Sequence, residues 1–278
     1  MRRWAASSTT IVTRASRISG PLRPSGGPFS PPCGGERRGA GNGPAVGWRS
    51  YGSLAAVMAL VTLDVVVDGP LRQLDHAVHG FCDAHVRGRA LEFVRGVSKL
   101  GQRGYLVRVI IPLSVVAAVR RRSLRYPAFA VLIAYALSLT QTGLKSVVPR
   151  SFPYGGVDVI GRYGDAYPSG HTLNGFVLVW VVLELLAAAL PAVDGVLPAR
   201  RRRDAALVAG VVTAAALTVS DQHWLTDVLF SLALGPVLLA WLVAAAPFER
   251  RRPLPAPLRS AAPATRTEAP RPGPERGR

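Results

Sequence analysis

Residues 167–171 read Tyr-Pro-Ser-Gly-His and stand directly before an apolar run at residues 173–190. We expect Ser169, Gly170 and His171 to form the first turn of a membrane-spanning helix. The free N–H groups and the positive dipole end of such a turn favour an anion. This junction therefore predicts a phosphate-type site at one end of an apolar helix.

A second polar motif opens another apolar run. Residues 223–227 read His-Trp-Leu-Thr-Asp. The spacing of four residues puts the Asp227 carboxylate one helical turn from the His223 imidazole, on the same face. A base and the group that orients it are arranged in this way.

The composition indicates an integral membrane protein. Of the 278 residues, 49% are hydrophobic, and they are gathered in long blocks. The net charge of +18 comes from 34 Lys and Arg against 16 Asp and Glu. Because the arginine clusters lie beside the apolar blocks and no nucleic-acid module is visible, we attribute this charge to the positive-inside rule and expect no nucleic-acid partner. The only cysteines, Cys33 and Cys82, predict neither a disulfide framework nor a metal site.

Six apolar runs predict an all-α bundle of six transmembrane helices, since most approach the roughly 20 residues that cross a bilayer. The runs are residues 51–67, 104–119, 126–148, 172–190, 204–220 and 224–246. Between the first two, residues 71–103 carry Leu74, Val78 and Phe81 at helical spacing. This segment is either a helix in the membrane interface or an ordinary amphipathic loop helix. No Glu or Cys constellation accompanies its histidines, His76, His79 and His85, so we expect no metal.

Both ends of the chain are expected to be disordered. Residues 1–50 are rich in Arg, Gly, Pro and Ser, contain Glu36 as their only acid and show no apolar period. A transit peptide has a similar composition and stays open as an alternative, although the Gly and Pro content disfavours its amphipathic helix. The predicted organisation is a leader at 1–50, a membrane domain at 51–246 and a Pro/Arg-rich tail at 247–278.

The arginine clusters predict which ends of the spans face the cytoplasm. They are residues 120–125, 200–203 and 250–252. In a six-span bundle all three fall on one side with the basic leader, so both termini are expected in the cytoplasm of a cell with a bacterial-type plasma membrane. A helix of about 20 residues rises about 30 Å, which carries Lys145, His171 and His223 to the opposite, outer face. The basic residues of 71–103 would also lie outside, which weakens the difference in positive charge between the two sides of the membrane.

Three separated motifs resemble those of the type 2 phosphatidic acid phosphatase family. They are Lys145-Ser-Val-Val-Pro-Arg150-Ser-Phe152-Pro, Pro168-Ser-Gly-His171 and His223-x-x-x-Asp227. Pro-Ser-Gly-His alone is a weak match, but the three motifs in this order are fairly specific, and the resemblance covers about residues 51–246. The family removes phosphate from lipid phosphates or diphosphates without a metal.

The resemblance implies a role for each matching residue. His223 would attack phosphorus to form a phosphohistidine, and Asp227 would orient its imidazole. His171 would protonate the leaving oxygen and later help to activate water. Donors from two motifs would hold the phosphoryl oxygens. These phosphate-binding residues are Lys145, Arg150, Ser169 and Gly170. Taken singly, each residue also has a structural explanation, such as a helix cap or a snorkelling cation.

Two positions depart from the family pattern. The family has Arg where this chain has Phe152, and Ser-Arg where residues 216–217 read Ala-Leu. Both arginines are expected to clamp phosphate, and charge-assisted hydrogen bonds of this kind are worth about 1.5–3 kcal/mol each. Arg150 matches an accessory arginine of the first motif, and Arg108 or Arg162 could also reach the outer face.

The sequence therefore predicts an outer-face phosphatase for a lipid phosphate or an isoprenoid (di)phosphate, with no cofactor. The alternative is a non-catalytic membrane protein of the same fold that binds a lipid headgroup or a partner. The retained His171, His223 and Asp227 favour the enzyme, whereas Phe152 and Leu217 favour the alternative.

Overall fold

The described part of the protein is helical. A computed structural model describes residues 48–155, 157–161 and 164–249. The α-helices in these ranges are α1 (Trp48–Val67), α2 (Pro70–His85), α3 (Gly88–Ser98), α4 (Arg103–Arg121), α5 (Arg125–Val147), α6 (Gly170–Ala189), α7 (Pro191–Val196), α8 (Ala199–Val219) and α9 (Leu225–Ala245). Short 3₁₀ turns occur at Lys99–Gly101 and Pro153–Gly155. Most of the predicted leader and tail, together with Cys33 and Arg162, lies outside the described residues.

Each predicted apolar run falls in a helix of its own, namely α1, α4, α5, α6, α8 or α9. By length and composition three of these helices, α5, α6 and α9, are able to cross a membrane. The number rises to five if α1 with α2, bent by 78°, and α3 with α4, bent by 48°, each count as one span. Helix α8 does not qualify because charged residues, Arg200 to Asp204, occupy its first turns. Six spans therefore stay a prediction.

Helix α6 is the centre of the bundle. It contacts α4, α5, α8 and α9, and it is far more buried than α5 or α9. A helix that is apolar on every side belongs in such a position. Phe176 of α6 packs directly onto the backbone of Gly210 in α8 and Gly235 in α9, where an added Cβ would overlap its ring. The two glycines thus let three helices approach closely.

The outer surface of the bundle is apolar along α4 and α5. Ile111, Val131, Leu132 and Tyr135 are each more than half exposed. Contiguous exposed side chains of this kind are unusual on a soluble monomer and normal where a helix faces lipid. The apolar surface and the candidate spans identify a membrane protein.

The segment between the first two apolar runs forms two helices rather than one. The chain breaks between α2 and α3 near Gly88, whose φ of +57° lies in the left-handed region that favours glycine. On α2, Leu74 and Phe81 point outward with 45% and 63% exposure, whereas Asp75 and Cys82 are buried. The inward face of α2 therefore carries a charged residue.

Candidate active site

His223 and Asp227 lie at the N-terminus of α9, where one carboxylate oxygen serves both the helix and the imidazole. Trp224 precedes the helix, and its backbone N–H donates to Asp227 Oδ2 at 3.0 Å. The same oxygen lies 3.3 Å from His223 Nδ1. With Nδ1 directed at the carboxylate, Nε2 is the nitrogen left for chemistry. The sequence-predicted pair is therefore assembled, with His223 only 5% exposed.

Arg150 is fully buried and holds Asp227 from the other side. Its Nη1 donates to Asp227 Oδ1 at 3.0 Å and to Thr226 Oγ1 at 2.7 Å. Its Nε and Nη2 donate to the two oxygens of Asp158 at 2.8 and 2.5 Å, and Nη2 also reaches Asp75 Oδ2 at 2.8 Å. One guanidinium therefore joins three carboxylates, which come from α2, the α5–α6 loop and α9.

Sequence reasoning missed Asp75, which α2 brings into this cluster. Its Oδ1 accepts from the Thr226 backbone N–H at 2.8 Å, and its Oδ2 accepts from the Thr226 hydroxyl at 2.5 Å. Because Thr226 is the second residue of α9, the carboxylate also stabilises the positive end of that helix. The sequence does contain a signal, since Asp75 shares a helical stripe with Leu71, Val78 and Cys82, where an apolar residue is expected.

Asp158 is the second missed acid, and it stays charged despite its burial. Its side chain is 1% exposed and also accepts from Arg72 Nε at 2.7 Å. Burial alone would raise the pKa of Asp158, but hydrogen bonds from Arg150 and Arg72 outweigh it and hold that pKa below its usual range. Burial likewise opposes the charge of Arg150, yet its carboxylate partners raise the pKa of that guanidinium above its ordinary value. Asp158 and Arg150 therefore form a buried ion pair.

The start of α6 is tied to the start of α9. Ser169 is the N-cap of α6, with its hydroxyl 3.4 Å from the Thr172 N–H and 3.1 Å from the Thr172 hydroxyl. The Ser169 N–H donates to the Asp227 backbone carbonyl at 3.1 Å, and Ser231 Oγ donates to the Ser169 carbonyl at 3.1 Å. Ser169 is fully buried, and Gly170 follows it as the first helical residue. The Pro-Ser-Gly-His motif and the His-x-x-x-Asp motif are therefore fixed to each other.

His171 faces His223 across the site. Their ring centroids are 6.2 Å apart. Phe152 contacts His223 with a centroid distance of 5.3 Å and stacks on Tyr154 at the same distance. The two histidines lie close enough to act on one group, and Phe152 with Tyr154 covers one side of His223.

Lys145 approaches the site from the C-terminal turn of α5. Its Nζ donates to the backbone carbonyl of Asp165. It lines an open cavity of about 1100 Å³ together with Phe152 and Tyr154. A cation at the edge of a cavity of this size can receive an anionic group from solvent or from the membrane surface.

Arg103, the first residue of α4, is a further cation near the site that sequence reasoning did not select. Its Nη1 donates to Ser138 Oγ at 2.7 Å, and its Nη2 donates to Gln141 Oε1. Gln141 Nε2 in turn contacts the Gly170 carbonyl at 3.3 Å and Asn174 Oδ1 at 3.0 Å. Arg103 therefore acts on the start of α6 through Gln141. In the sequence, the one signal for Arg103 is its position at the edge of an apolar run.

A sequence model of the PAP2 superfamily matches residues 124–252. This match supports membership of the PAP2 superfamily. The matched range contains Lys145, His171, His223 and Asp227, whereas Asp75 lies before it.

Among solved structures, the fold is similar to that of the first transmembrane PAP2 type phosphatidylglycerolphosphate phosphatase from Bacillus subtilis. The TM-score is 0.56 and the sequence identity is 19%, over 71% of this chain and 94% of that chain. At this identity the likeness concerns the fold. No match was found among curated proteins. The match to the PAP2 family model and the similar membrane fold support a lipid-phosphatase kind of function.

The two positions where PAP2 arginines are expected have different surroundings. Phe152 is partly exposed and borders the open cavity. Leu217 is fully buried and packs with Ala214 and Val228. An arginine would therefore fit at position 152 and not at position 217 without rebuilding the core.

The structure brings some of the predicted site residues together and leaves others apart. It brings His171, His223 and Asp227 together, with Lys145 at the edge of the adjoining cavity. All guanidinium nitrogens of Arg150, which was predicted to bind phosphate, donate to protein acceptors. Arg108 is exposed on α4 and lies over the Tyr105 ring at 5.6 Å. Within the described ranges, no group of three His, Cys, Asp or Glu side chains is arranged to hold a metal.

Proposed function

We propose that the protein is a membrane phosphatase that removes phosphate from a lipid phosphate or diphosphate at the outer face, through a phosphohistidine intermediate and without a metal. The observation that carries this proposal is the contact of His223 Nδ1 with Asp227 Oδ2 at 3.3 Å, with His171 opposite. PAP2 membership supports the reaction class.

The reaction proceeds in two steps. His223 Nε2 attacks phosphorus, the bond from phosphorus to the leaving oxygen breaks, and His171 gives that oxygen a proton. Asp227 stabilises the positive imidazole that results. In the second step His171 takes a proton from water, the water oxygen attacks phosphorus, and the bond from phosphorus to His223 breaks to release inorganic phosphate.

In this proposal the substrate phosphate is bound by Lys145, Ser169 and Gly170. Lys145 supplies a positive charge from the open cavity, and the first turn of α6 supplies its N–H groups and its dipole. We assign Arg150 a different task from the one its motif position suggests. To bind phosphate it would have to leave three buried carboxylates, so we propose that it positions Asp227.

The proposed orientation puts both termini in the cytoplasm of a six-span protein in the plasma membrane. It is supported by arginines at the end of the bundle opposite the site. Arg121 Nε donates to the Ala188 carbonyl at 2.9 Å near the end of α6, and Arg202 Nε donates to Glu184 Oε1 at 2.9 Å. Arginines at the cytoplasmic ends of spans follow the positive-inside rule.

Cysteine labelling tests this orientation. In a Cys33→Ala/Cys82→Ala background, Asp165→Cys places an exposed thiol beside the site, and Val196→Cys places one at the other end. An impermeant maleimide added to whole cells should label position 165 and spare position 196. The reverse pattern contradicts the orientation.

A second candidate function is that of a non-catalytic PAP2-like protein that binds a lipid headgroup or a partner. Phe152 and Leu217 at the two arginine positions favour it. A phosphatase assay on the purified full chain, with a panel of lipid phosphates and diphosphates, separates the two. Release of phosphate that His223→Ala eliminates supports the enzyme, and a folded wild-type protein that is inert on every lipid supports the alternative.

A further inference from the structure

A cavity of about 300 Å³ lies beside His171. Its wall comes from α3, the 3₁₀ turn Lys99–Gly101, the start of α6 and the loop between α8 and α9. The charged or titratable wall residues are Arg95, Lys99, His171 and Asp221. Of the described side chains, neither His223 nor Lys145 is part of this wall. The cavity is therefore separate from the entrance at Lys145 and meets it at Tyr154, which lines both.

The wall of this cavity carries an excess of positive charge. Arg95 in the last turn of α3 and Lys99 at the start of the 3₁₀ turn both line the wall. Within the described ranges, no acid forms an ion pair with either of them. The acid on the wall, Asp221, is bonded through Oδ1 to His79 Nδ1 at 2.5 Å. The two cations are thus free to meet an anion from solvent.

Hydrogen bonds hold this wall at a fixed place relative to His171. Gln222 Nε2 donates to Ser98 Oγ at 3.1 Å, which joins the end of α3 to the loop before His223. Asn174 Nδ2 donates to the Gly101 carbonyl at 3.0 Å. At Gly101 an added Cβ would overlap the His171 backbone carbonyl, so the 3₁₀ turn lies directly on the first turn of α6. The cavity is built into the bundle and is not a gap between mobile loops.

The position of the cavity relates to the direction of the reaction. In an in-line displacement the nucleophile and the leaving oxygen lie on opposite sides of phosphorus. His223 is the proposed nucleophile, and His171 is the proposed donor of a proton to the leaving oxygen. A cavity that contacts His171 and not His223 therefore lies on the leaving-group side.

We propose that Arg95 and Lys99 bind a second phosphoryl group, carried by the leaving group of the substrate. This inference rests on the proposed function, because it takes His171 as the acid. It narrows the substrate class to lipids with two phosphoryl groups in one headgroup, such as alkyl diphosphates. A simple monophosphate would leave two cations without a partner. In this arrangement Arg95 and Lys99 bind the phosphoryl group of the leaving group. Lys145 binds the phosphoryl group that is transferred.

The test is a binding measurement that does not require turnover. The probes are two non-hydrolysable lipids with the same alkyl chain, an alkyl phosphonate and an alkyl methylenebisphosphonate. Isothermal titration of the full chain in detergent should show that the bisphosphonate binds about tenfold more tightly, as expected for two partly solvated charge pairs. Arg95→Gln/Lys99→Gln should remove this preference and leave the affinity for the monophosphonate unchanged.

Arg87→Gln/Arg89→Gln is the matched control, because it removes two exposed cations from the same segment outside the cavity wall. It should retain the preference, as should the conservative Arg95→Lys. All four residues are exposed, and thermal unfolding verifies that each variant folds. A wild-type protein without the preference, or an Arg95→Gln/Lys99→Gln variant that keeps it, overturns the site.

Turnover is scored separately with the hydrolysable alkyl monophosphate and diphosphate. If wild-type protein binds the bisphosphonate preferentially and hydrolyses neither lipid, the proposed function fails and the second phosphoryl site stands. If it hydrolyses both equally well and shows no binding preference, the proposed function stands and this inference fails.

Discussion

The two sides of the site differ in how firmly they are built. On the nucleophile side, Asp227, Arg150 and Asp75 are fully buried, and each binds several protein partners. On the phosphate side, Lys145 borders an open cavity and Phe152 stands where the PAP2 family has an arginine. In the proposed mechanism, the protein therefore holds the group that orients the nucleophile rigidly, whereas the contacts proposed for phosphate face an open cavity.

The largest expected effect comes from the nucleophile itself. His223→Ala should lower kcat by at least about a thousandfold on every substrate, because no other group can form the covalent intermediate. His171→Ala should cost about 10²–10⁴ on an alkyl phosphate and far less on an aryl phosphate, whose leaving group needs no proton. Steady-state assays with both substrates measure the contrast. A His223→Ala protein with wild-type rates would show that the covalent mechanism is wrong.

Arg150→Lys tests the nucleophile side of the site. Lysine keeps the charge and loses the forked donors that join three carboxylates. We expect kcat to fall about 10–100-fold with little change in KM, since the residue positions Asp227 and does not touch substrate. Thermal unfolding of the same preparation should also show lower stability.

A different kinetic pattern would assign Arg150 to phosphate binding. If Arg150→Lys mainly raises KM and weakens inhibition by inorganic phosphate, the residue binds phosphate as its motif position suggests. The exposed Arg89→Lys substitution serves as the control and should change neither constant.

Phe152→Arg probes the altered side. The side chain is partly exposed at the edge of the open cavity, so arginine is tolerated there and should raise kcat/KM about tenfold through a charge-assisted contact with phosphate. Phe152→Leu is the control and should not raise it. Leu217→Arg should instead prevent stable folding, because Leu217 is fully buried among apolar side chains. A Phe152→Arg variant without any gain would mean that phosphate does not pass this position.

The smallest expected effect concerns pH. Because the pKa of Asp158 is held below its usual range in the folded protein, its contribution to stability is fully present above about pH 4, the value for an unfolded Asp, and is lost as the pH falls further. Asp158→Asn should remove this part of the acid sensitivity. Thermal unfolding in detergent from pH 2 to pH 7 measures it, with exposed Asp83→Asn as a control that should behave like wild type.

The sequence predicted the helices and the contact between His223 and Asp227 well, for physical reasons that act locally. Apolar length predicted the helices, and the i,i+4 spacing predicted that His223 and Asp227 share a face. The surroundings of Arg150 could not be predicted in the same way. Asp75 is 75 positions from Arg150 in the sequence, and Asp158 is 8 positions from it. Only the tertiary arrangement of α2 and the α5–α6 loop brings both carboxylates to the guanidinium.

The segment before α4 shows the same limit. Its apolar spacing identified the outward residues Leu74 and Phe81, but the buried face carries Asp75, and the chain divides at Gly88 into two helices. A stripe of mostly apolar residues does not reveal that one charged member has a buried partner far away in the sequence. Partners of this kind become visible only with coordinates.

The central claim is that His223 forms a covalent bond to phosphorus, and trapping that intermediate tests it most directly. Rapid mixing of His171→Ala protein with a ³²P-labelled aryl phosphate, followed by an alkaline quench, should accumulate label on the protein, since attack needs no acid and the water step is slowed. Tandem mass spectrometry should locate the phosphoryl group on His223, and His223→Ala should carry none. Turnover without protein-bound label, or label on another residue, would contradict the account.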